Sequence, residues 1–225
     1  MYVFPYCNSN HSQLNYLNMI GIIDYNAGNI TSVGRALDHI GIEHILSKNP
    51  DDLKNCNKVI FPGVGDAAYA MGELKKSGFD NFLKKCNDEG IPILGICLGS
   101  QIIFDWSEEG DTNCLGLAKG KIRHFYKISP EMESSGLKVP HMGWNNITLQ
   151  NGGCPILQGL PENSDFYFVH SYVICPDDES VIKATSDYGI KVPAVIQSGN
   201  VFACQFHPEK SGEPGLKILK NFCGL

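Results

Sequence analysis

The sequence of 225 residues predicts an α/β fold, an open, mixed and largely parallel central sheet flanked by helices, with a mixed or antiparallel C-terminal half. Two observations support this prediction. In the first half, short apolar runs typical of buried parallel strands alternate with stretches of helical periodicity. From about residue 115 the strands become shorter and are separated by Gly, Asn and Pro. Open sheets of this kind place their sites beyond the carboxyl ends of the strands.

The first half contains the alternating elements. A continuous apolar run predicts a buried strand over 19–24, and further strands are predicted near 43–46, 58–61 and 91–96. Helical spacing of Ile30, Val33, Leu37 and Ile40 predicts a helix, with Asn29 as its N-cap and Gly41 just after its end. Two further helices are predicted near 66–76 and 79–89.

The fourth strand leads into Gly95-Ile96-Cys97-Leu98-Gly99, followed by an amphipathic run from Gln101 to Trp106. A strand, a sharp turn carrying a nucleophile between two glycines, and a helix form a nucleophile elbow, here with sulfur in place of the usual serine oxygen. The N–H groups at the start of the helix would stabilise negative charge on the sulfur. Taken alone, the stretch also fits the alternative of a buried structural cysteine.

The second half predicts shorter strands over 119–125, 145–149, 166–173, 181–184, 194–197 and 201–206. Residues 127–137 are expected to form a surface loop. A final helix is predicted to start near Pro214, because proline suits the first helical turn.

Composition limits the classes of function and partner. The net charge is −6, from 24 acidic and 18 basic residues, and no basic tract is present, which argues against nucleic acid and anionic membranes as partners. The nine cysteines form no C-x-x-C pair, which predicts free thiols in a reducing cytoplasm and neither a metal site nor a disulfide framework. They are Cys7, Cys56, Cys86, Cys97, Cys114, Cys154, Cys175, Cys204 and Cys223.

Residues 1–18 contain no Lys or Arg and no apolar core, so they match neither a secretory signal nor a transit peptide. We expect them to form a disordered N-terminal leader, or to reflect an upstream start codon. One domain is expected over residues 19–225.

His207 is the histidine whose setting fits a catalytic base. It ends an apolar strand, and Pro208 biases it toward an extended backbone, in which Glu209 points to the same side. The carboxylate could then orient the imidazole, as the third group of a triad does. The loop Pro62-Gly63-Val64-Gly65 could direct an N–H toward an oxyanion; it could also cradle a phosphate, but it lacks the ending of a P-loop.

Several motifs resemble those of the class I (triad) glutamine amidotransferases. The segments that resemble this class are Gly95–Gln101 and Gln205–Glu209. Four further segments are similar, more specifically, to the glutaminase subunits of imidazole glycerol phosphate synthase: Pro62–Gly65, Pro140–Asn145, Phe168–Tyr172 and His207–Ser211. The similarity extends from Met19 to near the C-terminus and implies a flavodoxin-like sheet. Ser100, where the family usually has Met, and Asn26, often Gly in relatives, depart from the pattern.

The resemblance also implies roles for individual residues. Cys97 would be the nucleophile, His207 the general base and then acid, and Glu209 the group that orients His207. The oxyanion elements would be Gly63, Val64, Gly65 and the Leu98 amide, and the glutamine-holding positions Gln101, Glu109, His170, Ser171 and Tyr172. No cofactor or metal is expected.

The implied partner is a (β/α)8-barrel cyclase subunit in a heterodimer, which would use the ammonia in histidine biosynthesis. Polar and aromatic residues in motifs that the thiol chemistry does not need are expected to form the docking face: Asn26, Asn29, Trp144, Asn145, Tyr167 and Lys210. Two alternatives remain open on the sequence. The chain could donate ammonia for sugar amidination in surface-polysaccharide or glycan synthesis, or it could act alone as a cysteine hydrolase of γ-glutamyl bonds.

Overall fold

The computed structural model describes residues 19–26 and 28–225, so the leader expected over 1–18 lies outside the described residues. The described strands are β1 (Ile20–Ile23), β2 (His44–Ser47), β3 (Lys58–Gly63), β4 (Ile93–Cys97), β5 (Trp106–Ser107), β6 (Thr112–Asn113), β7 (Gly120–His124), β8 (His141–Asn146), β9 (Thr148–Leu149), β10 (Asp165–His170), β11 (Tyr172–Pro176), β12 (Ile182–Asp187), β13 (Lys191–Ser198) and β14 (Val201–Cys204).

Eight of these strands form the main sheet, in the order β2-β1-β3-β4-β14-β13-β12-β9. The first five are parallel to one another, and the last three add on in antiparallel fashion. The predicted open, largely parallel sheet with an antiparallel C-terminal half is therefore confirmed. In this order β4 and β14 are neighbours, so the segments carrying Cys97 and His207 leave the sheet side by side.

Helices cover both faces of the sheet. The described α-helices are α1 (Ile30–His39), α2 (Pro50–Leu53), α3 (Ala67–Ser77), α4 (Phe79–Asp88), α5 (Leu98–Ile102), α6 (Phe125–Ile128) and α7 (Gly212–Cys223). Because side chains alternate along a strand, Phe61 packs into the core shared with α3 and α4, whereas its neighbour Ile60 packs into the core shared with α1 and α7. The result is a sheet between two helical layers. In the described part of the chain, no helix is long and apolar enough to cross a membrane.

Two smaller sheets extend the domain beside the carboxyl edge of the parallel strands. Strands β8 and β10 form an antiparallel pair, and β11, β7, β5 and β6 form a four-stranded sheet. The chain passes from the first of these sheets to the second at Ser171. The single strand predicted over 166–173 is therefore wrong, since apolar periodicity cannot report that a strand changes sheets.

Two other local predictions also need correction. The helix after the elbow begins at Leu98 and ends at Ile102, and all five of its residues are buried, so the run to Trp106 is not its amphipathic continuation. The segment 127–137 is not only a surface loop, because it contains a short 3-10 turn whose Met132 is buried. Asn29 does precede α1, but its side-chain oxygen accepts from the Ser32 hydroxyl at 2.9 Å, not from a helix N–H.

Candidate active site

Cys97 sits in a backbone conformation that few residues other than glycine adopt, with φ 55° and ψ −112°. A residue held in such a strained conformation requires support from its surroundings. The two flanking glycines provide room for it. A Cβ on Gly99 would overlap the carbonyl oxygen of Phe61, and one on Gly95 would lie 2.8 Å from the carbonyl oxygen of Gly99. The elbow thus needs both glycines because strand β3, helix α5 and the turn lie in direct backbone contact.

His207 and Glu209 form a buried pair next to Cys97. The His207 Nδ1 atom lies 2.8 Å from Glu209 Oε1, and the two side chains are 2% and 1% exposed. This contact leaves Nε2 as the nitrogen available to the thiol. Nε2 makes no hydrogen bond of standard geometry with the described residues, and the Cys97 Sγ–H points toward the Val169 carbonyl oxygen at 3.8 Å.

The charge balance at His207 favours imidazolium. Burial lowers the pKa of His207, but the interactions with Cys97 and with Glu209 outweigh it and raise the pKa to about 9. Opposite charges and hydrogen bonds to the charged form act in this direction. The pair is therefore suited to holding a proton that is transferred from the sulfur.

The backbone around His207 is fixed by the neighbouring strand. The His207 N–H donates to the Tyr167 carbonyl at 2.9 Å, and the Ser211 hydroxyl donates to the His207 carbonyl at 2.6 Å while it accepts from the Tyr167 N–H at 3.0 Å. Ser211, which the sequence places with Lys210 in the expected docking face, is buried and connects the base to β10 instead.

A cavity of about 320 Å³ opens over the cysteine. Its walls include nearly all of the residues predicted from the sequence to form the site. They are Cys97, His207, Val64, Gly65, Leu98, Gln101, Glu109, His170, Ser171 and Tyr172. Glu209 lies behind His207, and Gly63 is buried behind the loop, where a Cβ would lie 2.7 Å from both the Gly99 nitrogen and the Tyr25 hydroxyl.

Two polar walls of the cavity are held by internal hydrogen bonds. The Gln101 Nε2 group donates to the Tyr172 carbonyl at 3.1 Å and to Gln205 Oε1 at 2.9 Å. Opposite, Glu109 Oε2 accepts from the Ala67 N–H at 2.9 Å at the start of α3, and burial raises the pKa of Glu109. The cavity thus presents a carboxyl group and an anchored amide near the thiol, a pattern that fits a small polar substrate.

Sequence reasoning missed several residues of the site. Pro140 and Val169 also line the cavity, and His141 contacts His170 behind its wall. Pro140 and His141 belong to a motif whose Trp144 and Asn145 are expected in the docking face, and Val169 stands next to His170 in a run of strand residues. The sequence did contain a signal for these residues, because each of the two motifs, 139–145 and 166–172, combines aromatic and polar residues in a short segment. In the described part of the chain, no group of three or more His, Cys, Asp or Glu residues is arranged to hold a metal ion.

The residues expected to form the docking face lie around the same edge of the sheet. The rings of Trp144 and Tyr167 are 5.9 Å apart on the β8–β10 pair, and Trp144 is 57% exposed. Lys210 is exposed in the short turn that follows His207, and helix α1 packs against this turn. Asn26 and Asn29 lie in the segment that joins β1 to α1, where the Asn26 amide contacts Glu73 and Lys48.

Comparisons with known proteins show the family of the chain. A family model described as "Glutamine amidotransferase class-I" matches residues 21–224. An imidazole glycerol phosphate synthase subunit HisH from Nitratidesulfovibrio vulgaris is 47% identical over 204 residues, covering 91% of this chain and 95% of the relative. The subunit of the same name from a Geobacillus species is 46% identical over 208 residues, covering 92% and 97%.

Solved structures match the fold. A glutamine amidotransferase structure superposes with a TM-score of 0.68 at 20% identity, covering 92% of this chain and 99% of the other. The structure of PurLQS from Thermotoga maritima superposes with a TM-score of 0.68 at 20% identity, covering 92% of this chain and 97% of the matched one. The chain belongs to the class I glutamine amidotransferase family and, within it, groups with the HisH subunits of imidazole glycerol phosphate synthase.

Proposed function

We propose that this chain is the glutaminase subunit of an imidazole glycerol phosphate synthase, which hydrolyses glutamine to glutamate and ammonia and delivers the ammonia to a cyclase partner. The observation that carries the proposal is the buried Cys97, His207 and Glu209 set beneath a polar cavity, in a chain 47% identical to a HisH subunit.

The proposed reaction proceeds through a thioester. His207 takes the Cys97 proton as the sulfur attacks the side-chain amide carbon of glutamine. The resulting oxyanion would accept hydrogen bonds from the N–H groups of Leu98 and of the loop at Val64–Gly65. His207 then protonates the amide nitrogen, ammonia leaves, and a glutamyl thioester remains. Water, deprotonated by His207, attacks the thioester, and glutamate leaves as the Cys97 thiol regains its proton.

Ammonia released to water at neutral pH becomes ammonium, which is not a nucleophile, so a docked partner that accepts it directly is chemically sensible. We therefore infer a (β/α)8-barrel cyclase as the partner, in a cytoplasmic heterodimer serving histidine biosynthesis. The names of the relatives support this reading over sugar amidination. We take residues 19–225 to be one glutaminase domain.

The decisive experiment measures glutamate release by the chain alone, by the chain with a co-expressed cyclase, and by that complex with an acceptor-site ligand. We expect activity to increase along this series. The Gly63–Gly65 loop can rotate a peptide plane at low cost, because glycine tolerates both signs of φ, and Gly65 already has φ 95°. A misdirected oxyanion donor costs roughly 10²–10³ in kcat, enough to hold the isolated chain nearly inactive. Equal activity in all three samples would favour the stand-alone hydrolase.

Docking can be tested with a pair of matched variants. Trp144 and Leu149 are both 57% exposed, but only Trp144 lies in the expected docking face. Trp144→Ala should weaken binding of the cyclase by roughly thirtyfold, the loss expected for an interface hot spot worth about 2 kcal/mol. Leu149→Ala should leave the Kd unchanged. Titration calorimetry measures both values, and equal affinities for the two variants would exclude this face.

Glu209→Gln should lower kcat by about 10⁴-fold, because the amide cannot orient His207 or stabilise its charge as the carboxylate does. It should also change the pH dependence of stability. The pKa of His207 is raised from 6.5 to about 9 in the folded state, so its contribution is complete below pH 6.5 and is lost as the pH rises through 9. The melting temperature of the wild type should therefore fall more steeply over this window than that of Glu209→Gln. Parallel slopes would show that Glu209 contributes little to the raised pKa of His207 and that Cys97 is its main cause.

A further inference from the structure

A pair of buried histidines lies behind the wall of the cavity, and the proposed reaction steps do not use it. His141 on β8 and His170 on β10 face each other across the antiparallel ladder, and their Nδ1 and Nε2 atoms are 3.0 Å apart. His141 is fully buried and His170 is 6% exposed. Two imidazoles in this position need a defined arrangement of protons, because a buried polar atom without a partner is costly.

Aromatic rings surround the pair. The His141 ring is stacked between Phe168, at 4.7 Å, and Tyr188, at 4.0 Å, with an interplanar angle of 16° in each case. Phe125 packs against His170 at 5.3 Å. These contacts fix the planes of both rings, and ring faces of this kind stabilise a cation.

The outer nitrogens of the pair contact oxygen atoms. His170 Nδ1 lies 2.7 Å from the Tyr172 carbonyl oxygen, and His141 Nε2 lies 3.1 Å from Asn145 Oδ1. The orientation of the Asn145 amide follows from its other contact, since its Nδ2 donates to the Asp187 carbonyl at 3.2 Å. Turning the amide over would place two oxygens against each other.

The chain of contacts continues into the active site. The Tyr172 carbonyl that accepts from His170 also accepts from Gln101 Nε2 at 3.1 Å, and Gln101, His170 and Tyr172 line the cavity. At the other end, Asn145 is next to the exposed Trp144. A continuous series of contacts at hydrogen-bond distance therefore joins the docking strand β8 to the cavity wall.

We propose that His141 is a positioning residue of the glutaminase, which holds His170 in one tautomer and orientation and thereby links strand β8 to the wall that receives glutamine. The inference rests on the proposed function, and it adds a residue that does not line the cavity. His170 must carry its proton on Nδ1 to donate to the Tyr172 carbonyl, so its Nε2 accepts from the Nδ1–H of His141.

The number of protons on the two rings makes one of these hydrogen bonds dependent on pH. Three hydrogen bonds, to Tyr172, between the two rings and to Asn145, need three protons, whereas two neutral imidazoles carry two. Only a protonated His141 completes the series. In the neutral form, the His141 Nε2 lone pair faces Asn145 Oδ1, so the hydrogen bond within β8 is lost while the one between the two rings remains.

The surroundings determine which ring titrates. Burial lowers the pKa of both rings, for His170 to about 3, so His141 is the ring that gains the second proton on acidification. Among the groups that face the pair, Tyr188 stacks on His141, and the charge of His207 further lowers the pKa of His170.

Imidazole ¹⁵N spectra of the full-length wild type test the tautomers directly. On acidification from neutral pH, we expect His170 to remain protonated on Nδ1 alone, and His141 to gain a proton on Nε2 at a pH below the usual range of histidine. Asn145→Asp should move the His141 transition to higher pH, because a carboxylate stabilises the imidazolium. A His170 protonated on Nε2, or an unmoved transition in Asn145→Asp, would overturn the proposal.

Kinetics of the cyclase complex then distinguish positioning from packing. His141→Phe keeps the aromatic stack but removes both nitrogens, and the KM for glutamine should rise about tenfold, the loss expected for one hydrogen bond, with a smaller change in kcat. His141→Asn places an N–H where Nδ1 was and should restore most of the KM.

Each outcome of the kinetics has a definite meaning. An unchanged KM in His141→Phe, or equal losses in both variants, would overturn the positioning role while the wild type still hydrolyses glutamine. An inactive wild-type complex would instead reject the proposed function, and the spectra would still report on the histidine pair. If His141→Phe does not fold, His141→Asn and the spectra remain decisive.

Discussion

Cys97→Ala should abolish glutamine hydrolysis, with a loss of about 10⁶-fold in kcat, because no other group can form the thioester. The substitution removes one sulfur atom from a side chain that is 7% exposed, and the elbow retains both glycines and its strand partners. Glutamate release by the cyclase complex, measured with a coupled assay, gives the residual rate.

The complex should nevertheless retain ammonia-dependent cyclase activity, since external ammonia bypasses the glutaminase. That activity, together with an unchanged affinity for the cyclase, is the control that separates lost chemistry from lost structure. A Cys97→Ala protein that still releases glutamate at a comparable rate would show that another residue is the nucleophile.

Gly99→Ala should cause the largest loss of stability among single methyl additions at the site, about 3 kcal/mol or more. The added Cβ would overlap the carbonyl oxygen of Phe61, which belongs to the central strand β3 and cannot move away alone. Relief requires α5 to shift, and that shift would also displace Cys97. We expect a lower midpoint of urea denaturation together with reduced glutaminase activity.

Gly72→Ala is the matched control. Gly72 is exposed in the middle of helix α3, and a Cβ built there meets nothing within 4 Å. Alanine is the better helix former, so this variant should gain roughly 0.5–1 kcal/mol. If Gly99→Ala were as stable as Gly72→Ala, the close backbone approach at the elbow would not be a constraint on this fold.

The centre of the main sheet could be predicted from the sequence because β1, β3 and β4 are buried on both faces. Continuous apolar runs such as Met19–Ile23 and Lys58–Phe61 have no competing interpretation when glycine-rich turns and helical periods separate them. The smaller sheets could not be predicted in the same way. At Ser171 a single residue transfers the chain from the β8–β10 pair to the four-stranded sheet, and this change depends on contacts with β7 that are distant in sequence.

The family and the class of reaction also followed from short motifs, and the comparisons confirm the family. The elbow and the His-Pro-Glu sequence carry local geometry, and His207 does pair with Glu209 at 2.8 Å. The predicted reason is wrong, because only His207 is extended and Pro208–Lys210 form a 3-10 turn that brings the carboxylate to the imidazole. The contacts that support these residues could not be predicted from the sequence. Ser211 binds two backbone groups from separate elements, and His141 meets His170 through a strand pairing that no local pattern specifies.

Cys97 and His207 emerge from neighbouring, in-register strands at the middle of the main sheet, where Cys204 pairs with Ile96. We expect the amides of such strands to exchange with solvent only when much of the domain opens, whereas the exposed Val64–Gly65 loop can open locally at much lower free energy. Local opening of this loop therefore leaves the distance between the Cys97 sulfur and the His207 imidazole almost unchanged. Substitutions in the Val64–Gly65 loop could therefore change the control of this enzyme by a partner during evolution. The thiol chemistry and the folding of the domain would not be affected.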